Sequence, residues 1–285
     1  MISWNAELSA LARQHLPEDV AEKWTSLLRP CARLAAGADG RAAGRLGGVP
    51  ELPAGTEWPV WKGNGPLSFV AAVDCAALPT SELDIPLPQD GTLLFFYFDG
   101  QLDDGEALVL VDDRESWDGA RVLYVPAGTE TVEHPTPEGL TAYPEVRLTA
   151  EVTASDLGPW HPDTRSAFSP GPGWDPRDHP ICAGPFVEAV EKTWDGPCHR
   201  IGGHPMSVQN PVEYEVAHAL LGGQAAWDSP ELTSEAQRWV LLAQIDSDAD
   251  ADMMWGDVGS LYWLIRREDL AAKRFDEAVF TWQCC

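Results

Sequence analysis

Apolar residues recur every three or four positions in two stretches near the start of the chain. Leu8, Leu11 and Ala12 do so within residues 5–16; Val20, Trp24, Leu27 and Leu28 do so within residues 18–28. That spacing predicts two short helices, each with one apolar face, and Pro30 ends the second. A stretch rich in glycine and alanine follows, over 35–44. The pattern then shortens to runs of β-formers over 67–74, 92–98, 107–111, 121–125 and 146–152. Asp99-Gly100, Asp104-Gly105 and Asp118-Gly119 punctuate these runs as turns, which predicts strands in antiparallel meanders without long crossover helices. Eight prolines and glycines between 158 and 184 predict a loop without regular structure, pinned to the body by Trp160, Phe168 and Trp174. Beyond it the pattern predicts helices over 186–194 and 211–221, strands over 239–246 and 260–266, a helix over 268–275 and a last strand over 278–283.

The same blocks occur twice and in the same order. Arg45-Leu46-Gly47-Gly48-Val49-Pro50 returns as Arg200-Ile201-Gly202-Gly203-His204-Pro205. An apolar run ending in Asp74 is matched by one ending in Asp246, and the run opened by Gly91 is matched by one opened by Gly259. Such order predicts a duplication. The expected architecture is α+β, mainly antiparallel β-sheets with short peripheral helices, built from two diverged internal repeats. An N-terminal half (1–157), a connecting loop (158–184) and a C-terminal half (185–285) would pack as one globular unit. Strand alternation puts Phe69, Ala71 and Val73 on one face, matching Leu241, Ala243 and Ile245. The opposite face is Val70, Ala72 and Asp74 in the first copy but Leu242, Gln244 and Asp246 in the second. Leu94, Phe96 and Phe98 likewise become Tyr262, Leu264 and Arg266. The second copy is therefore expected to leave one face partly wet, and a site is expected there.

Composition narrows the partners. With 45 acidic and 19 basic residues the formal charge is −26, a field that repels phosphate backbones and excludes nucleic acid as the expected partner. It favours a basic partner. Thirteen tryptophans supply large rings for a core or a binding surface. The longest apolar run, residues 93–98, is too short to span a bilayer, so no membrane role is expected. Residues 1–16 carry Glu7 and Arg13 and do not read as a signal peptide. Six scattered cysteines without a CxxC pair point to a reducing cytoplasm.

The duplicated blocks also carry a family resemblance. GGVP from Gly47, WP at Trp58-Pro59, PLSFVAAVD from Pro66 and GTLLFFYF from Gly91 resemble the YwqG-like family of uncharacterised bacterial proteins. So do HRIGGHP from His199, WVLLAQIDSD from Trp239, MWGDVGSLYWLI from Met254 and the terminal WQC from Trp282. These cover about half the chain, and residues 102–184 match nothing comparable. The resemblance implies an α+β fold with substantial antiparallel sheet and an internal repeat. It implies no activity and no catalytic residue.

Several residue groups carry candidate chemistry. Asp246, Asp248, Asp250 and Asp257 fall at positions one, three, five and twelve of a calcium-type loop. Position six, however, is Ala251 instead of glycine, and position twelve is the shorter aspartate, so a solvated acidic turn competes with a metal site. His179, Cys182, Cys198, His199 and His204 could hold zinc, though at no standard spacing. The RxGGxP blocks could cradle an anion on glycine amides with Arg45 or Arg200, or could simply make a tight bend. Asp257 beside Trp255 is a candidate perturbed carboxylate or a turn cap. Trp58, Trp61, Trp117 and Trp255 beside acids could stack sugars or fill the core. No GxSxG elbow, Walker loop or HExxH is present, and Gly63-Asn64-Gly65 lacks the third glycine of a dinucleotide fingerprint. The candidate functional face is therefore His199, Arg200, Gly202, Gly203, Gln244, Asp246, Trp255 and Asp257, with no cofactor expected. The leading expectation is a non-enzymatic cytoplasmic binding protein with an acidic surface that neutralises a basic protein or toxin. The competing expectations are a metal-dependent hydrolase using His199, Asp246 and Asp257, and a small-ligand or carbohydrate-binding module.

Overall fold

Two helices, α1 (Ala6–His15) and α2 (Glu18–Thr25), lead into β1 (Arg29–Ala36), a strand the sequence pattern does not announce. Its Pro30 disguises it. The proline is the second residue of β1, outside Ala32 and Arg33, the two positions covered by the neighbouring strand on that side, where a missing N–H is tolerated. The structure, a computed structural model, describes residues 4–37, 39–171, 174–194 and 196–285. Ala38, Pro172 and Gly173, which belong to stretches expected to be irregular, and residues 1–3 lie outside the described residues.

The chain continues through β2 (Gly44–Leu46), β3 (Glu51–Pro53), β4 (Val60–Trp61), β5 (Gly65–Pro66), β6 (Ser68–Asp74), β7 (Thr92–Tyr97), β8 (Ala120–Val125), β9 (Thr131–Glu133) and β10 (Val146–Ser155). Then come α3 (Pro162–Phe168), α4 (Gly184–Glu191), β11 (Arg200–Ile201), α5 (Val212–Leu220) and α6 (Pro230–Ala236). The C-terminal part holds β12 (Trp239–Asp246), β13 (Ser260–Arg266), α7 (Arg267–Ala271) and β14 (Val279–Gln283). Ten strands form one sheet in the order β14-β13-β12-β11-β1-β10-β2-β6-β7-β8. Neighbours in it run antiparallel, as the turn-punctuated pattern predicts. Two small ribbons, β3–β9 and β4–β5, sit beside it. The fold is thus mixed α and β, mostly antiparallel, with short helices.

The strand order reads alike outward from the central β1–β10 pair: β11, β12, β13, β14 one way and β2, β6, β7, β8 the other. The registers agree in detail. Asp74 lies opposite Thr92 and Asp246 opposite Ser260, and each inner pair has one irregularity, between Phe69 and Ala71 or between Leu241 and Ala243. A bulge adds a residue and shifts which face the following side chains occupy. Leu241 consequently packs with Tyr262, Leu264 and the α5 residues Val212 and Val216, while Leu242, Ala243 and Ile245 join the main core. The expected face made of Leu241, Ala243 and Ile245 does not exist.

Nor is the opposite face of β12 and β13 wet. Gln244, Tyr262 and Leu264 are buried, because α5 and the segment after Pro205 cover that face. Only Asp246 and Arg266 at the strand ends reach partial exposure. The two wings of the sheet meet face to face at a seam. Phe95 and Trp263 ring centroids lie 5.0 Å apart, Tyr97 stacks on Phe280 at 4.8 Å, and Trp263 meets Phe280 at 5.2 Å.

Other expectations need correction. Residues 107–111 form no strand. Their polar backbone is satisfied by side chains, with Ser116 Oγ accepting from Leu110 N–H and the Trp117 and Trp282 indoles donating to Val111 and Val109 carbonyls. The proline-rich segment is not without regular structure. It holds α3 and two 3-10 turns, Pro176–Asp178 and Pro180–Cys182, each with proline in its first turn, where no N–H is needed. The short α6, capped by Ser229, also goes unannounced.

Candidate functional site

The acidic hairpin joining β12 to β13 turns its key carboxylates inward. Asp246 accepts from Cys198 N–H at 2.7 Å and from the Gln244 amide at 2.8 Å. Asp248 accepts from the backbone N–H of Asp250 and Ala251 through one oxygen and meets His199 Nε2 at 3.0 Å through the other. His199 Nδ1 accepts the Asp246 N–H at 3.1 Å, so the ring proton sits on Nε2 and is donated to Asp248. That hydrogen bond holds the Asp248 carboxyl below its usual range, burial acting against it. Both ring nitrogens of His199 are committed, and the residue is buried. It fastens β11 to the hairpin and offers no base.

The remaining candidates disperse. Asp257 is exposed and contributes its carbonyl to Cys285 N–H. Trp255 is 3% exposed and packs against Tyr97 and Tyr143. Trp58 and Trp61 meet Phe96 and Phe98 edge-on, and Trp117 donates to Val111, so these rings are turned to the protein. Cys182 ends the second 3-10 turn and His179 lies between the two, its Nδ1 accepting from Ile181 N–H. His204 Nε2 donates to the Leu27 carbonyl. Among the described residues, no group of three or more His, Cys, Asp or Glu is placed to hold a metal ion.

Of the predicted residues, Arg200 leads to a site. It opens the second RxGGxP block, and Gly202 and Gly203 adopt φ of +70° and +72°, a turn that suits glycine. The turn swings the His204 carbonyl back to accept from Arg200 Nη1 at 3.1 Å, while Nε donates to Cys198 O at 3.3 Å. The guanidinium lies 4.5 Å from the Trp194 ring centroid. Arg200 is 2% exposed, yet its Nη2 has no hydrogen-bond partner among the described residues. It lies in the wall of a cavity of about 360 Å³.

That cavity sits where β10 runs out and the helices α2 and α4 pack across it. Trp24, Ile181, Phe186 and Val190 give it an apolar wall, and they belong to one cluster with Leu8, Ala12 and Ala154. Asp156, just past β10, supplies a carboxyl group. Burial pushes that group up, while the Arg200 charge, its own backbone and the Trp194 side chain act downward; the net direction is up. Beside the cavity His161 is locked like His199. Its Nδ1 accepts from Asp163 N–H and its Nε2 donates to Glu213 at 3.0 Å. Burial pushes Glu213 up, but its hydrogen bond with His161 outweighs that and leaves the carboxyl lowered.

A family model described as a domain of unknown function, DUF1963, matches residues 44–284. The chain belongs to the DUF1963 family. No curated protein matches the sequence. In this DUF1963 protein the match begins at β2 and takes in Asp156, Trp194 and Arg200; α1, α2 and β1 precede it. Trp24 therefore reaches the cavity from outside the matched region.

The first block of the DUF1963 protein makes the same clamp but no such site. Arg45 Nη2 donates to the Val49 carbonyl at 2.6 Å, the counterpart of the Arg200–His204 bond. Its charge, however, is answered by Glu145 at 3.6 Å, it lies against Phe69, and the cavity of about 260 Å³ that it lines holds the acids Glu51 and Asp74 instead of an apolar wall of rings. Sequence reasoning marks Arg200 through its motif but has no signal for Asp156, Trp194 or Phe186. They come together only through the pairing of β1 with β10 and β11.

Proposed function

We propose that this DUF1963 protein is a non-enzymatic binding module that holds a small anionic, largely apolar ligand in the Arg200 cavity. The observation that carries this reading is the unpartnered Nη2 of a buried guanidinium whose residue lines a largely apolar pocket. A buried donor without an acceptor is costly, and an anionic ligand would offset that cost with a charge-assisted hydrogen bond. Catalysis has little to draw on. His199 and His161 have both nitrogens committed, and burial pushes the thiols of Cys31 and Cys198 up, away from the reactive thiolate. Kinship with the YwqG-like proteins and descent from two fused copies belong to the same reading. The mirrored strand order, the matching bulges and the twin arginine clamps support the duplication. Six unpaired cysteines support a cytoplasmic setting.

Calorimetric titration with 3-phenylpropionate, hexanoate and phenyl phosphate tests the pocket. At least one should bind saturably, and Arg200→Lys should weaken it about tenfold by losing the forked donor. No binding of any aryl or alkyl anion would sink the reading.

A second reading, a basic protein partner, is favoured by the β12–β13 hairpin tip. Met254 and Val258 are 61% and 63% exposed there, beside the exposed Asp252 and Asp257. Apolar anchors ringed by acids suit a basic, partly apolar surface, and association with such a partner should slow as salt is raised.

A further inference from the structure

We infer that the ligand of the Arg200 cavity is a free α-amino acid with a large apolar side chain, its carboxylate on Arg200 Nη2 and its ammonium on Asp156. The inference rests on the anion-binding reading above and adds the second charge. Apart from the exposed Glu191 at the end of α4 and the committed His161, the cavity presents one basic and one acidic side chain, Arg200 and Asp156, with no hydrogen bond between them among the described residues: Arg200 gives two nitrogens to backbone carbonyls and keeps the third unpartnered. A ligand bearing only a carboxylate would answer Arg200 but bring a second acid beside Asp156. One bearing only an amine would answer Asp156 and leave the buried guanidinium as it was. A zwitterion answers both. In a peptide the ammonium and carboxylate sit at opposite ends of the chain, whereas a free amino acid carries both on one carbon. Its side chain then faces Trp24, Ile181, Phe186 and Val190, and about 360 Å³ accommodates one as large as an indole. Burial already drives the Asp156 carboxyl toward its neutral form. A ligand ammonium is the group that would return it to the carboxylate.

The test compares phenylalanine, 3-phenylpropionate and phenethylamine by calorimetry on the full chain, as wild type, Asp156→Asn and Arg200→Lys, with thermal melts confirming that each variant is folded. Wild type is expected to bind phenylalanine at least about tenfold more tightly than either analogue, the size of one charge-assisted contact. Asp156→Asn should erase the preference over 3-phenylpropionate while changing the affinity for 3-phenylpropionate less than about threefold. Arg200→Lys should weaken both acids. Should Arg200→Lys not fold, the wild-type and Asp156→Asn comparison decides alone. If 3-phenylpropionate binds as tightly as phenylalanine, or if the preference survives Asp156→Asn, the amino-acid inference is overturned and the anion pocket stands. If no acid binds, both fall.

Discussion

Arg200 and His204 show how one block handles two cations differently. Three sides of the buried Arg200 guanidinium are provided for: two carbonyls and the face of Trp194. His204 is buried four residues later and keeps no charge. Burial pushes it down to about 4, helped by the nearby Arg29, while its hydrogen bond to the Leu27 carbonyl acts the other way. This has a defined consequence for acid stability. Below the ordinary histidine value of about 6.5 the unfolded chain takes up a proton that the folded protein refuses, so stability falls as pH falls toward 4. The loss approaches about 3 kcal/mol, from about 1.4 kcal/mol per unit. Urea unfolding of wild type and His204→Gln between pH 7 and 4 measures it. The variant should be less stable at pH 7 and should lose clearly less between pH 6.5 and 4.5. Parallel slopes would assign the acid sensitivity to other groups. Asp248 and Glu213, whose carboxyls are held low, lose their contribution only at more acidic pH.

At the scale of elements, the glycine turn and the acidic hairpin each separate structure from surface. A Cβ on Gly203 would stand 2.4 Å from Ser155 Oγ and 2.6 Å from Cys31 Cβ, at a φ of +72°. One on Gly202 would meet only the Ile85 side chain, at 3.0 Å. Gly203→Ala is therefore expected to cost about 3 kcal/mol or more and Gly202→Ala about 1 kcal/mol, a difference that denaturant midpoints resolve. In the hairpin, Asp248→Ala removes acceptors from His199, Asp250 and Ala251 and should cost about 3 kcal/mol, whereas exposed Asp257→Ala should stay within about 0.5 kcal/mol. Equal effects would mean the inward hydrogen bonds are not what the acids are for. These same elements mark what can be read from the chain. Both β12 and β13 begin and end where the apolar pattern stops, because period and turn residues agree there. The bulge at Leu241–Ala243 has no sequence mark, and it alone overturns the assignment of faces. Proline hid β1 and suggested a loop without regular structure over 158–184, since strand edges and first helical turns tolerate it as well as loops do. Arg200 was visible in its motif, but Asp156 and Trp194 are ordinary residues in ordinary local sequence. Only the long-range pairing of Cys31 with Thr153 and of Arg33 with Arg200 makes them neighbours.

For the molecule as a whole, the seam between the wings decides whether the ten strands behave as one unit. β7 and β13 lie far apart along the sheet, but Phe95 and Trp263 touch, and Phe280 bridges Trp263 to Tyr97. Trp263 is 1% exposed, and its indole N–H has no partner among the described residues, so its contribution is that of apolar area and ring geometry. Trp263→Ala would open a cavity against both wings at once, and deletions of this size cost about 3–5 kcal/mol. Trp263→Phe keeps a ring in place and removes the unpaired donor, so it should cost far less, about 1 kcal/mol. The distinguishing measurement is amide hydrogen exchange, strand by strand. With one shared core, Trp263→Ala should lower protection in β6 and β7 by the same free energy as in β12 and β13, because each can open only when the seam parts. If the wings were independent units resting on each other, protection would fall in β12–β14 alone and β6–β7 would keep its wild-type value. Unequal loss would then mean that the central β1–β10 pair, not the seam, joins the two wings.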